Sequence, residues 1–143
     1  MSLARELGVK RSWFVAAVNL GHVARRQGRF SDAFGRYREA LLLAQEQGEK
    51  GAIVVSLEGI AAALLATEQT LTGVTLFSGA ATLRTQTNTP LNPVDRSQYD
   101  AILSGARELL GEEYSRAWTS GHELVLDELV ALAHERAETG LID

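Results

Sequence analysis

The side chains best suited to chemistry in this sequence are three histidines and two pairs of adjacent carboxylates. His22, His122 and His134 are scattered, and none has a second histidine at the i, i+4 spacing of a helical metal-binding pair. The pairs Glu112-Glu113 and Asp127-Glu128 are sequence neighbours, and neighbouring residues of a helix do not face the same way. Acid–base hydrolysis needs carboxylates that converge in a cleft. We therefore expect no catalytic and no metal-binding residue, and a protein that is not an enzyme.

Nucleotide binding is not indicated either. The sequence lacks the GxxxxGK[ST] phosphate-binding loop, and the segment GEKG at 48–51 has the wrong spacing for one. Gly79, Ala80 and Ala81 fall in the middle of a predicted helix, where small side chains allow close packing. No cofactor is expected.

A group of arginines offers one further candidate. Arg25, Arg29 and Arg36 are predicted near the turn of a helical hairpin, where they could contact phosphate or an acidic peptide. The alternative is that they are solvated and pair locally with Asp32 and Glu39. Residues 1–50 carry nine Lys/Arg against five Asp/Glu, and residues 51–143 carry five against thirteen. Weak binding of nucleic acid by the basic first hairpin is therefore an alternative function, although the net charge of −4 disfavours it.

The composition favours helices. The chain has 143 residues, 45% of them hydrophobic and 22% charged, and its two prolines are Pro90 and Pro93. It contains no cysteine, and a reducing cytoplasm is the simplest compartment for such a protein. No apolar run approaches the roughly 18–20 residues that span a bilayer. We expect a cytoplasmic protein without a membrane partner.

The apolar pattern predicts two helical hairpins, the second about forty residues after the first. The first helix ends near Gly28, and a second helix, capped by Ser31 and Asp32, ends at Gly48. Trp13, Ala17, Leu20 and Ala24 are spaced to share one face of the first helix, and Trp13 could be half exposed if the helix that precedes it is missing. The equivalent positions of the two hairpins are Ala17 and Leu57, Leu20 and Ile60, Gly21 and Ala61, Ala24 and Leu64, Ala33 and Gly73, Tyr37 and Phe77, and Ala40 and Ala80.

Three more helices are predicted after the loop at 88–93. They run from about Val94 to Leu110, from Glu112 to about Gly121, and from about Leu126 to Glu138. Their predicted inward residues are Tyr99, Ile102, Leu103, Ala106, Leu110, Tyr114, Ala117, Trp118, Leu129, Leu132 and Ala133. Such a tail would cover the apolar end of a solenoid.

Several of these segments resemble a known class of proteins. Leu20-Gly21, Ala33, Tyr37 and Ala40 are spaced as in a tetratricopeptide repeat. LFSGAATLR at 76–84, PLNPVDRSQYD at 90–100, ARELLGEEYSRAWTSG at 106–121 and LDELVALA at 126–133 follow in the order seen at the carboxy-terminal end of large bacterial signalling regulators. These regulators are STAND-type ATPases, often with LuxR-type DNA-binding domains, and related cyclase and kinase fusions. The resemblance implies an all-α superhelix of tetratricopeptide-like hairpins with a terminal helical cap.

The predicted organisation has four parts. Residues 1–10 are predicted to be the end of a preceding repeat helix, and residues 1–3 could instead be a cloning remnant. Residues 11–50 and 51–89 form two repeats, and residues 90–143 form the cap. The chain is then a fragment of a longer regulator, in which it serves as a sensor or regulatory arm.

Function is predicted to reside in protein–protein contact. In a repeat array the inner groove is lined mainly by the first helix of each hairpin, and the groove candidates are Asn19, His22, Arg26, Ser56 and Glu58. A second surface, formed by Leu3, Leu7, Trp13 and Phe14, is a candidate for self-association into a homodimer. The alternative to protein binding is a small-molecule sensor, with an inducer held between the repeats and the cap.

Overall fold

The computed structural model describes residues 2–140, and within them it contains seven α-helices and no strand. The helices are α1 (Leu3–Arg26), α2 (Phe30–Gln47), α3 (Lys50–Ala66), α4 (Thr70–Thr87), α5 (Pro93–Leu110), α6 (Glu112–Glu123) and α7 (Leu126–Gly140). The all-helical class is therefore confirmed. No helix in this part of the chain is long and apolar enough to cross a bilayer.

The helix ends follow local chemistry. Ser2 caps α1 by accepting a hydrogen bond from the Arg5 amide at 3.2 Å, and Asn92 caps α5 by accepting one from the Asp95 amide at 2.8 Å. Gly48 and Asn88 end α2 and α4 in the left-handed conformation, with φ of 67° and 53°. These two ends lie forty residues apart, the predicted repeat length.

Two helix starts differ from the sequence prediction. α1 is continuous from Leu3, so residues 3–10 belong to the first helix of the first hairpin and not to a separate preceding helix. α2 begins at Phe30, before the predicted cap residues Ser31 and Asp32. Asp32 instead lies in the first turn of α2 and pairs with Arg29 at 2.7 Å.

α1 pairs with α2, and α3 pairs with α4, and α2 also packs along α3. The equivalent positions in the second helices of the two hairpins are buried in both. The ring of Tyr37 fills the space between α1 and α3, and Phe77 takes the same place after α3, where its ring meets that of Tyr99 at 5.0 Å between centroids. Small residues facing these rings let the helices approach closely.

The remaining three helices lie against the hairpins. α6 packs on α4, and α7 packs on α2, α3 and α4. Leu129 of α7 is buried against Gly79, and Gly140 lies against the ring of Phe34. α5 is held more loosely, because only Tyr99 and Ala106 of its 18 residues are buried.

Candidate docking face on the first helix

One side of α1 carries an uncovered apolar stripe. Val9, Trp13, Ala16, Leu20 and Val23 follow one another at alternating spacings of four and three residues, which is the seam of a heptad pattern. The exposed fractions are 57% for Trp13, 47% for Leu20 and 44% for Val23. Ala16 is exposed and Val9 is half-buried. We call these five residues the α1 stripe.

Of the α1 stripe, only Trp13 was predicted from the sequence to be part of an exposed apolar surface. α1 has two apolar faces, and the sequence does not tell which of them is covered. Ala17, Val18, Gly21 and Ala24 are buried, which places them toward α2. The predicted common face is therefore divided: Ala17 and Ala24 are buried, whereas Trp13 and Leu20 are exposed. These two side chains lie next to the covered face, on the side that faces solvent.

The corresponding side of α3 is covered. Residues forty positions after Trp13, Ala16, Leu20 and Val23 are Ile53, Ser56, Ile60 and Ala63, and all four are at most 6% exposed. Gly59, between Ser56 and Ala63 on this side, lies against the Tyr37 ring of α2. In the second hairpin α2 thus covers the surface that remains open in the first.

Positive charge is concentrated on α1. The helix carries five Lys/Arg against one acidic residue, Glu6. Lys10 pairs with Glu46 at 2.8 Å, and Arg11 reaches Glu49 at 3.4 Å. Arg5 and Arg26, at the two ends of one edge of the stripe, are exposed and have no ion pair among residues 2–140.

The five predicted groove residues do not form one surface. Asn19 and Arg26 are exposed along the edge of the α1 stripe, whereas His22 is half-buried beside Tyr37. Ser56 and Glu58 are buried, with exposed fractions of 0% and 3%. The groove prediction is therefore wrong for the second hairpin, because α2 and α4 enclose α3.

The four predicted self-association residues do not form one surface either, because they lie on different faces of α1. Leu3, Leu7 and Trp13 are exposed, but Phe14 is half-buried and packs against the core. Leu3 and Leu7 are spaced to share a helix face with Phe14, and Trp13 belongs to the α1 stripe instead.

Behind the stripe, the Tyr37 hydroxyl joins two residues of α1. It lies 2.7 Å from Nδ1 of His22 and 3.2 Å from Nε of Arg25. Arg25 donates to the hydroxyl oxygen, and the tautomer of His22 determines which partner donates in the bond between the hydroxyl and Nδ1. Burial, together with the charges of Arg25 and Arg26, lowers the pKa of His22 to about 4, while Asp95 opposes the shift. Burial raises the pKa of Tyr37.

A buried ion pair links α3 to α4. Nε and Nη2 of Arg84 donate to the two carboxylate oxygens of Glu58 at 2.6 and 2.7 Å, and Nη1 donates to the Thr89 carbonyl at 2.8 Å. Burial raises the pKa of Glu58, and the guanidinium of Arg84 opposes that rise. The pair fixes the turn after α4, from which α5 departs.

A cavity of about 490 Å³ lies between α4 and α5, with this ion pair in its wall. Its apolar lining includes Phe77, Leu91 and Leu103, and its polar lining includes Arg96 and Asp100. Burial raises the pKa of Tyr99, which also lines the cavity. The cavity lies between the second hairpin and the helices that follow it.

Three of the other polar side chains considered above have a partner in the structure. Ser78 donates to the Trp118 carbonyl and lies 2.9 Å from Nδ1 of His122, but its side chain is fully buried and cannot reach a substrate. His134 lies 2.6 Å from Oε1 of Gln45. Arg36 lies 3.5 Å from Glu39, a local pair as the second reading of the arginines predicted. Residues 2–140 contain no group of three or more His, Asp or Glu that could hold a metal ion.

Comparison of the chain with protein-family models, curated proteins and solved structures finds no match. The resemblance to tetratricopeptide-type regulators therefore depends on the sequence motifs alone. The α1 stripe and the cavity are the two features of the described residues that could receive a partner or a ligand.

Proposed function

We propose that this chain is a non-catalytic protein-interaction module that binds a helix of a partner protein on the α1 stripe. The observation that carries the proposal is the contrast between α1 and α3. The same side of the two helices is open in the first hairpin and buried under α2 in the second.

The chemistry of the stripe suits this role. Contiguous exposed apolar surface on a soluble protein marks an interaction site. The stripe has a central tryptophan and leucine, Trp13 and Leu20, and large aromatic residues provide a major part of the binding energy at many interfaces. Its heptad spacing matches the way an amphipathic helix packs on another helix.

The wider role follows from the resemblance. The chain would be a tetratricopeptide-like superhelix that serves as a sensor or regulatory arm in a cytoplasmic bacterial signalling or transcriptional regulator. Binding at the α1 stripe would then be the event that such an arm reports to the rest of the regulator.

Fluorescence anisotropy with labelled peptides tests the proposal. The probes are a synthetic amphipathic helix with leucine at its a and d positions and a proline-rich peptide of equal length that cannot form a helix. We expect the helical peptide alone to bind, and Leu20→Glu to remove binding while Leu109→Glu, at an exposed residue of α5, does not. Equal binding by the Leu20→Glu and Leu109→Glu variants would contradict the proposal.

The cavity between α4 and α5 supports a second candidate function, capture of a small molecule. Apolar walls with a few converging polar groups are typical of ligand sites. The probe is anilinonaphthalene sulfonate, an aromatic anion whose fluorescence rises in apolar surroundings. Binding that survives Leu20→Glu but is lost in Ala81→Phe, which fills the cavity, would support this candidate. Binding that is unchanged by Ala81→Phe would exclude the cavity as the site.

A further inference from the structure

The covered face of α3 shows what kind of structural element fits the equivalent open face of α1. α3 shows what covers such a face, namely an α-helix, α2, which is the second helix of the preceding hairpin. On the proposed function, we infer that the occupant of the α1 stripe is an amphipathic helix of a partner protein, with acidic residues along one edge. It lies across α1 as α2 lies across α3.

The covered face of α3 also shows where the occupant must differ from α2. The Tyr37 ring can approach α3 because position 59 is glycine, and a Cβ there would lie 2.5 Å from the ring. Forty residues earlier the equivalent position is Asn19. A tyrosine at the same place of the occupant would collide with this side chain. The occupant therefore carries a small residue opposite Asn19, or an amide residue that hydrogen-bonds to the Asn19 side chain.

Charge defines the edge of the occupant. Arg5 and Arg26 stand at the two ends of the same edge of the stripe, and neither has an ion pair within residues 2–140. Their separation along α1 is roughly 30 Å at a rise of about 1.5 Å per residue. An occupant that reaches both guanidinium groups is a helix of about six turns with an acidic residue near each end.

The same charges disfavour a second copy of this chain. In an antiparallel pair of α1 helices that meet at Ala16, Arg26 of one copy would lie near both Arg5 and Glu6 of the other, so each end would bring together two basic groups and one acidic group. In a parallel pair, Arg5 would lie near Lys10 of the other copy. Each α1 carries five basic groups against one acidic group. Like charges at these edges destabilise both arrangements.

Nucleic acid is also a poorer fit than an acidic helix. Phosphate contacts would use Arg5 and Arg26 but would leave Trp13, Leu20 and Val23 facing water. An acidic amphipathic helix satisfies the charges and covers the apolar side chains together.

Two matched peptides test the inference. Both are about three heptads long with leucine at a and d, and they carry glutamate or lysine at e and g. We expect the glutamate peptide to bind the wild-type chain about tenfold more tightly than the lysine peptide at moderate salt. The double variant Arg5→Glu, Arg26→Glu should reverse that preference. Both substitutions are at exposed positions, and circular dichroism checks that the variant folds.

The outcomes separate this inference from the proposed function. If both peptides bind equally well and Leu20→Glu removes both, the docking face stands and the acidic edge is wrong. If neither peptide binds, the proposed function fails as well. Sedimentation equilibrium of the wild-type chain should show a monomer, and a dimer that Leu20→Glu dissociates would overturn the inference in favour of a second copy. Displacement of the glutamate peptide by duplex DNA, added at an equal concentration of negative charges, would overturn the inference in favour of nucleic acid.

Discussion

Gly59 of α3 lies directly beneath the ring of Tyr37 of α2, and a Cβ at position 59 would come within 2.5 Å of two ring carbons. The other side of the same ring faces Gly21 of α1, where a Cβ would be 2.6 Å away. One tyrosine therefore sets the distances from α2 to both neighbouring helices. This contact also shows which side of α3 is covered by α2, and so which side of α1 is open.

Substitution at Gly59 tests this close contact. Gly59→Ala should lower the free energy of unfolding by about 1–3 kcal/mol, because the added methyl group must displace the buried Tyr37 ring. Gly51→Ala in the same helix is the matched control, since nothing lies within 4 Å of a Cβ at that position. That control should stabilise the chain by up to about 1 kcal/mol through helix propensity. Urea unfolding measures both, and equal effects would refute the contact.

The Glu58–Arg84 pair should behave as a unit. Arg84→Met leaves a buried carboxylate without its partner, and we expect a loss of about 3–5 kcal/mol in the free energy of unfolding. The double variant Glu58→Leu, Arg84→Met removes both charges and should lose clearly less than Arg84→Met alone. Denaturant titration of the three proteins supplies the comparison. A double variant at least as unstable as Arg84→Met would show that the two charges are not coupled.

The stability of the chain should depend on pH through His22. Its pKa is about 4 in the folded chain against an ordinary value of 6.5. Between these values the unfolded chain binds a proton that the folded chain does not, so the free energy of unfolding falls as the pH is lowered from about 6.5 to about 4. Burial lowers the pKa of His134 too, which adds a slope of the same sign.

His22→Asn provides the check on this pH dependence. The variant should show a shallower fall in stability over the same pH range, measured by urea unfolding at several pH values. The remaining slope belongs to His134, and the raised pKa of the Glu58 carboxyl contributes a slope of the opposite sign. A slope identical to that of the wild-type chain would mean that His22 does not titrate in this way.

Leu129 should anchor α7 to the second hairpin. Its side chain is 1% exposed and packs on Gly79, so Leu129→Ala is expected to cost about 2–5 kcal/mol. Leu109→Ala changes the same residue type at a position that is 74% exposed, and its effect should stay within about 0.5 kcal/mol. Thermal unfolding distinguishes the two. Similar losses at both sites would contradict the packing of α7.

The parts of the fold that could be predicted from the sequence depended on residues that end helices and on the helical spacing of apolar residues. Gly48, the loop before Pro93, and Gly111 each mark a helix end because their backbone preferences are local. The burial of Tyr37 and Phe77 was also predictable, because both recur between small residues at a fixed interval.

The candidate site was less predictable, because whether another helix packs on a given helix face depends on the tertiary structure. Trp13 and Leu20 have the spacing of core residues, and nothing in α1 itself tells that no helix covers them. Glu58 looked like a surface charge of a groove, but its partner Arg84 lies on another helix twenty-six residues later. The α1 stripe could have been found from the sequence as a second heptad seam beside the one formed by Ala17 and Ala24.

If a partner helix covers the α1 stripe, methyl NMR of the chain should detect it at the side chains of the stripe. With the leucine and valine methyl groups labelled, addition of the glutamate peptide should shift the signals of Val9, Leu20 and Val23. Leu91 and Leu103, which line the cavity, should keep their positions. Shifts confined to Leu91 and Leu103, with the signals of the stripe unchanged, would show that the peptide binds between α4 and α5 and not on the α1 stripe.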